Sequence, residues 1–317
     1  MSLISRLAVV GAGSVGSSLA YAALIRGSAS EVILYDIAEE KTEAEVLDLA
    51  HGTQFTGTSR VSGGSDISCV EGASIVVITA GAKQKPGQTR LELAGTNVGI
   101  LEVLMPQLMH HAPDAIYILV SNPVDVLTVA AAQISGLPHG RLFGSGCVLD
   151  SARLRWLIGA KSGIAQQSVH AMMLGEHGDT EFPLWSQARI GTVPLRDWTD
   201  RDGKRLFSGD VRAAIHDDVA HAAYKIIAGK GATNYAIGLS GARIVEAVLR
   251  DEHAVMPVSS TLRDYRGISG IALSVPCVVG AHGIERVLDT PMDEHEAGWL
   301  DQSASTLHDS LKSLGLE

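Results

Sequence analysis

Four short runs constrain the fold of this chain more than any other feature: LAVV (7–10), EVILYD (31–36), SIVVITA (74–80) and AIYILV (115–120). Each is rich in β-branched residues and apolar through its middle. A strand with one wet face alternates apolar and polar residues, so these runs call for strands covered on both faces, as in a parallel sheet between layers of helices. The segments between them, such as SVGSSLAYAALIRG and EEKTEAEVLDLAHG, carry apolar residues at helical spacing and end near glycine. The result is a repeated βαβ pattern and an α/β fold built on a doubly wound sheet.

The pattern changes after RLFGSG (141–146), which reads as one more strand. Beyond it, HAMML, ARIGTVPL, AVMPVSS and GIALSVPCVV suggest antiparallel strands mixed with helices, and the segment from Met292 onward reads as a C-terminal helix. A length of 317 residues suits two domains. We place them at 1–145, a Rossmann nucleotide-binding domain, and 146–317, a mixed α+β substrate domain. The stretch DWTDRDGKRLFSGD (197–210) reads as a solvated surface connection.

Directly after the first strand comes GAGSVG, with Gly11, Gly13 and Gly16 in dinucleotide-binding spacing. The motif alone is weak, because glycines punctuate many turns. Its context is stronger: a strand precedes it, a helix starting near Ser14 follows, and Asp36 ends the next strand 20 residues after Gly16. Such a turn lets backbone approach a pyrophosphate and aims a helix N-terminus at the anion. Asp36 would accept from the ribose hydroxyls and repel a 2′-phosphate, which selects NAD over NADP.

Composition narrows the partners. A net charge of −10 argues against general affinity for nucleic acid or an anionic membrane, so an anionic ligand must be held by local arginines. No apolar run reaches the roughly 18 residues of a membrane span. The N-terminal apolar run flows into the glycine motif with no small-residue cleavage site, so a cytoplasmic location is expected. Cys69, Cys147 and Cys277 are odd in number and lack zinc-site spacing, which suits reduced, packed thiols and no metal.

Among 12 histidines, His177 stands out because LGEHGDTEFP sets it between glycine-containing turns. His51, His110, His111 and His216 read as ordinary surface or core residues. LDSARLR supplies Asp150, Arg153 and Arg155 at a strand-to-helix junction, and SNPVD supplies Asn122 at a strand end. In an open α/β sheet, ligands sit beyond the carboxyl ends of the strands, where Asn122 and the 80–90 loop fall.

Taken together, GAGSVG, KQKPGQTR, SNPVD, LDSAR, GEHGD and GATNYAIG occur in an order and spacing that resemble the L-lactate/malate dehydrogenase family, from about Leu7 to about Gly283. The resemblance implies that His177 exchanges a proton with the substrate oxygen as NADH delivers hydride, and that Asp150 fixes its tautomer. It implies that Arg153 grips the substrate carboxylate, that Arg90 closes over the substrate on a mobile loop, and that Asn122 and Thr233 line the pocket. It extends the nucleotide site to Val15, Lys41, Gly81, Ala82, Val120, Asn122 and Ser145. These residue types suit the chemistry. Hydride transfer develops negative charge on a carbonyl oxygen, imidazole works as acid and base near neutrality, and a guanidinium fork matches a carboxylate.

In the malate branch, the position six residues before the loop arginine is itself an arginine that pairs with the second carboxylate of oxaloacetate. Here it is Gln84. An unpaired charge is costly to bury, so the amide points to pyruvate and L-lactate as the substrate pair. The flanking Lys83 and Lys85 lack fork geometry. Competing readings are a relative acting on malate or bulkier 2-hydroxy acids, and a catalytically silent NAD-sensing protein on the same fold.

Arg155 lies two residues after Arg153, so on a helix it points about 200° away. His170 precedes His177 by seven, an odd separation that on one strand would set the two on opposite faces. Relatives that respond to fructose 1,6-bisphosphate carry an arginine and a histidine at these motif positions. The expectation is a homotetramer, or a dimer that becomes one, in which the bisphosphate bridges subunits across a two-fold interface at Arg155 and His170.

Overall fold

The computed structural model describes residues 5–57, 59–83 and 87–316. The first half runs β1 (Arg6–Val10), α1 (Ser14–Arg26), β2 (Glu31–Tyr35), α2 (Glu39–Gly52), β3 (Arg60–Gly64), β4 (Ile75–Ile78), α3 (Arg90–His111), β5 (Ile116–Leu119), α4 (Val124–Ser135) and β6 (Leu142–Gly144). The second half begins with α5 (Val148–Ser162), followed by five two-residue strands: β7 (Val169–His170), β8 (Met173–Leu174), β9 (Phe182–Pro183), β10 (Arg189–Ile190) and β11 (Val193–Pro194). Then come α6 (Gly209–Ala220), α7 (Ala222–Lys230), α8 (Tyr235–Leu249), β12 (Ala254–Thr261), β13 (Ala272–Gly280), β14 (Gly283–Val287) and α9 (Glu294–Leu314).

The large sheet has the order β14-β13-β12-β6-β5-β4-β1-β2-β3. Strands β1 to β6 pair in parallel, as the apolar runs require. The reason shows in β1. Leu7 and Val9 pack with α1 and α8, whereas Ala8 and Val10 pack with α3, so neither face can be polar. The expected boundary near Ser145 falls at the turn from β6 to α5, yet the sheet continues across it. Strand β12 pairs antiparallel with β6 at Ser259 and Gly144, and β13 and β14 extend the sheet antiparallel. A separate core of Cys147, Leu154, Ile158, Met173, Ile190 and Phe207 lies under α5.

One strand lies outside the sequence reading, and one reading changes. RVSGG forms β3, an edge strand that pairs with β2. The stretch around His170 is not one strand: β7 joins β10 and β11, whereas β8 pairs with β9. Between them the Ala171 carbonyl accepts from Arg155 Nε at 2.8 Å, so it serves no neighbouring strand and the chain changes sheets. His170 and His177 therefore part company through this switch, not through strand alternation. Of the 197–210 stretch expected to be a solvated connection, the 200–204 turn is exposed and is held by Asp200 Oδ1, which accepts from Asp202 and Lys204 N–H. Phe207, by contrast, is buried in the core under α5. No helix among the described residues is long and apolar enough to cross a membrane.

Strand β1 is the switch point, with the chain passing to β2 on one side and returning to β4 on the other. Gly11 has φ +110°, and a Cβ there would meet Ala80 N at 2.7 Å. A Cβ on Gly16 would lie 1.8 Å from the Gly11 carbonyl oxygen. Because that neighbour is backbone, Gly16→Ala must push α1 off β1. We expect a loss of roughly 1–3 kcal/mol, typical of overpacking, together with weakened dinucleotide binding. Thermal unfolding with and without NADH checks this, and an unchanged Tm in both would refute it.

Candidate active site

The rim above the carboxyl ends of the parallel strands gathers most of the residues singled out in the sequence. After β1, the glycine turn leads into α1, whose first turn holds no acidic residue and has no side-chain cap on its N–H groups. A Cβ on Gly13 would meet nothing within 4 Å, so this side of the turn is open to an incoming group. At the end of β2, Asp36 Oδ2 accepts from Ala12 N–H at 2.7 Å and Oδ1 from Ala38 N–H at 3.1 Å. These bonds orient the carboxylate beside the glycine turn while each oxygen keeps accepting capacity. A bare helix N-terminus, an open glycine face and an oriented acid fit the pyrophosphate and ribose of a dinucleotide. Val15 lies in the first turn of α1, and Lys41 is exposed at the start of α2.

The next strand ends form the middle of the rim. Gly81 and Ala82 follow β4, Val120 and Asn122 follow β5, and buried Ser145 follows β6 with its N–H on the Leu119 carbonyl. A residue the sequence did not flag ties two of these loops. Buried Asn97 on α3 accepts from Ala82 N–H at 2.7 Å and donates to the Asn122 carbonyl at 2.8 Å. Gln84 lies outside the described residues. Thr233 is half-buried in the loop between α7 and α8.

The chemical centre is Asp150 in the first turn of α5, where the helix dipole favours a negative charge. It is buried, and both oxygens are engaged: Oδ1 accepts from Arg153 Nη1 at 2.6 Å, and Oδ2 pairs with His177 Nδ1 at 2.8 Å. Burial works against its charge, but His177 and Arg153 outweigh it and hold the carboxyl below its ordinary range. Burial likewise opposes charge on His177. The charge and hydrogen bond of Asp150, with Cys147 and Glu181 behind them, still raise its pKa well above the usual histidine value. With Asp150 ionised, the proton on Nδ1 faces Oδ2, leaving Nε2 as the nitrogen free to exchange a proton elsewhere.

Three further groups close around His177, none of them legible in the sequence. Asp125 on α4 is buried, accepting from the His177 backbone N–H at 2.6 Å and from Ser259 Oγ at 2.5 Å. Burial raises its pKa to about 6 against the pull of those partners. Glu181 Oε2 lies 3.8 Å from His177 Nδ1 and 3.8 Å from Cys147 Sγ. The ligand atoms of Cys147, Asp150, His177 and Glu181 all fall within 4.8 Å of one another, a gathering the size of a metal site. The Asp150–His177 separation argues for a hydrogen bond instead, because two ligands of one tetrahedral zinc stand about 3.3 Å apart.

Arg90 occupies the first turn of α3, at the end of the 80–90 loop and behind a capping box of Thr89 and Glu92. Its Nη1 meets Asp179 Oδ2 at 2.6 Å, and Tyr224 Oη donates to the other Asp179 oxygen at 3.0 Å. Arg90 thus stands over the His177 turn, where a Cβ on Gly178 would come 3.1 Å from its Nη2. Arg155 and His170 lie apart from this centre. Arg155 faces Ala171 and His170 is exposed. Opposite His170 in the β7–β10 ladder stands Arg189, a further cation that no motif announced.

This arrangement can hold a dinucleotide at one end of the rim, and at the other it can exchange a proton beside two arginines. Comparison with known proteins supports the dinucleotide end of this rim. Residues 5–144 match the lactate/malate dehydrogenase NAD-binding domain, and residues 147–315 match the α/β C-terminal domain of the same family. The chain is similar to the L-lactate dehydrogenase of Bifidobacterium animalis subsp. lactis, at 49% identity over 98% of this chain and 97% of the relative. It is 44% identical to that of Nitratidesulfovibrio vulgaris over 98% of this chain and 100% of the relative. Among solved structures, a lactate dehydrogenase from a Medee basin deep-sea metagenome superposes with a TM-score of 0.94 at 37% identity, covering 98% and 99% of the two chains. The minor L-lactate dehydrogenase of Enterococcus mundtii gives a TM-score of 0.93 at 39% identity, covering 99% of each. The chain therefore belongs to the lactate/malate dehydrogenase family of NAD-dependent oxidoreductases.

Proposed function

We propose that this protein is an NAD-dependent L-lactate dehydrogenase of the cytoplasm that interconverts pyruvate and L-lactate. The observation that carries the reading is the buried Asp150 shared by His177 and Arg153, an acid–base group and a carboxylate-binding group fixed to one anchor. Three free cysteines suit a reducing compartment. Consumption of NADH on addition of pyruvate tests the reading directly.

When bound, NADH supplies the hydride, and this chain's residues handle the rest. Arg153 turns its fork to the substrate carboxylate while staying close to Asp150. His177 Nε2–H donates to the ketone oxygen, and Asp150 stabilises the imidazolium and fixes its tautomer. In lactate oxidation Nε2 takes the hydroxyl proton instead. Arg90 and Asn122 stabilise charge that develops on the oxygen, and Thr233 lines the pocket. Pyruvate reduction needs the protonated imidazole, so its rate falls as pH rises through the His177 pKa, and lactate oxidation moves the opposite way. His177→Asn should still bind NADH yet lose about 10²–10⁴-fold in single-turnover hydride transfer. A smaller loss would remove His177 from this role.

Gln84 supports pyruvate over oxaloacetate, because a second substrate carboxylate would meet an amide where the malate branch has a guanidinium. Gln84→Arg should raise the ratio of kcat/KM for oxaloacetate over pyruvate, by at least tenfold if the new pair contributes the roughly 1.5–3 kcal/mol of a charged hydrogen bond. An unmoved ratio would put the selectivity elsewhere.

Fructose 1,6-bisphosphate activation is part of the proposal. The Arg155–Ala171 bond sets the guanidinium beside the residue that follows His170, with Arg189 across the ladder, so two guanidinium groups and an imidazole lie near one another as candidate partners for an anion. A homotetramer is supported by apolar residues left exposed on paired helices: Tyr21 and Ile25 on α1, Leu47 on α2, and Tyr235 and Leu239 on α8, with Trp156 in a second patch next to Arg155. A bisphosphate that pairs facing cations would favour assembly. Fructose 1,6-bisphosphate should lower the pyruvate concentration at half-saturation and increase the sedimenting mass, and Arg155→Ala should abolish both effects. No response in the wild type would overturn the regulatory claim alone.

A further inference from the structure

The catalytic pair accounts for His177 and Asp150 but leaves Glu181 without a task. This second acid is buried just before β9, four residues after His177, and its one ion pair among the described residues is a long one to the His177 ring. Its Oε2 stands 3.8 Å from His177 Nδ1, on the ring nitrogen already committed to Asp150. The thiol of Cys147, a weak donor, lies 3.8 Å from the same oxygen, and the Asp150 carboxylate falls within 4.8 Å. Arg153 on α5 spends its Nη1 on Asp150. His216 on α6 bonds the Glu181 backbone carbonyl at 2.9 Å, not the carboxyl, and Asp125 on α4 bonds the His177 backbone.

We infer that Glu181 is a positioning residue for the proposed dehydrogenase reaction: a second buried carboxyl that carries a proton itself and so sets how firmly His177 keeps its own. Two carboxylates beside one imidazole compete, and the one that receives the stronger hydrogen-bond donors ionises first. Asp150 receives two strong donors and takes the charge. Glu181 receives a thiol and takes the proton. Charge balance favours the same division, since Arg153, His177, Asp150 and a bound substrate carboxylate already sum to zero. Burial and the charge of Asp150 lift Glu181 to about 7 against the pull of His177 and Arg153. As pH rises past neutrality, Glu181 ionises beside the imidazolium and holds its proton in place. The consequence is that His177 remains a competent acid over a wider pH range than Asp150 alone would maintain.

The inference rests on the dehydrogenase reading, and the experiment separates the two. Pre-steady-state hydride transfer to saturating pyruvate is measured against pH for wild type and Glu181→Gln, whose amide mimics the protonated acid but never ionises. The plateau at pH 6 should stay within about threefold of wild type, and the midpoint of the alkaline fall should drop by about one pH unit. An unmoved midpoint, or an equal loss at every pH, would reduce Glu181 to a packing role. A second readout needs no turnover and no folded Glu181→Gln. Infrared titration of the wild-type protein should reveal a buried carboxylic-acid band that ionises near neutrality. Cys147→Ala should shift it by removing the thiol, leaving the Asp125 band with its Ser259 partner unmoved. Absence of such a band, or a band indifferent to Cys147, overturns the inference. Failure of the wild type to reduce pyruvate would instead defeat the functional reading.

Discussion

One buried negative charge organises the active centre. Asp150 is 1% exposed, and a carboxylate so placed is tolerable only when strong donors meet both oxygens. Removing either partner leaves a charge that water cannot reach, a loss on the order of 3–5 kcal/mol. The surroundings are built to keep that contact closed. Gly146 adopts φ +51°, and a Cβ there would lie 2.5 Å from both Ser259 N and Ser274 Oγ, so only glycine lets the turn into α5 sit this tightly on β12 and β13. Cys147 N–H then donates to Ser274 Oγ at 3.0 Å and starts the helix that presents Asp150 and Arg153 one turn apart.

A second polar layer fixes the backbone around the first. Asp125 reaches from α4, in the nucleotide-binding half, to the His177 N–H and to Ser259 on β12. The histidine thus has its ring oriented by α5 and its backbone by α4, and its freedom to tilt is removed twice. Asn97 and Ser121 do the same for the rim, the latter donating to the Ala80 carbonyl at 2.6 Å. Buried polar atoms left unpaired would cost more than these bonds contribute, so the layer is all or nothing.

What could be read from the sequence divides along physical lines. Strands β1, β2, β4 and β5 were legible because being covered on both faces leaves an unbroken apolar run, and the nucleotide turn was legible because steric need writes itself as glycine. Edge strand β3 was not, since RVSGG pairs on one side only and needs no continuous hydrophobicity. The histidine and arginines stood out by motif. Asp125, Asn97 and Glu181 did not, because an isolated polar residue within a helix or ahead of a strand has the same letters whether it faces water or a buried polar partner. Cys147, read as a packed thiol, lies 3.8 Å from Glu181 beside the Asp150–His177 pair, and its letter did not show this for the same reason.

The remaining question of geometry concerns Arg90, which the proposed reaction brings to the substrate oxygen. Its partner in this structure is Asp179, and their side chains are 53% and 65% exposed. A pair so open to solvent contributes about 0–1 kcal/mol, because water replaces much of what separation loses. The contrast with Arg153 is one of burial: that guanidinium is anchored to a carboxylate water cannot reach, and Arg90 to one that Tyr224 and solvent can satisfy. An arginine that must leave its resting partner in every catalytic cycle is best kept on such a weak hold. Transferred to a closed site around a developing oxyanion, the same charge acts at much lower effective dielectric. In the proposed reaction, the exposure of the Arg90–Asp179 pair would allow stabilisation to be concentrated in the transition state instead of the resting enzyme.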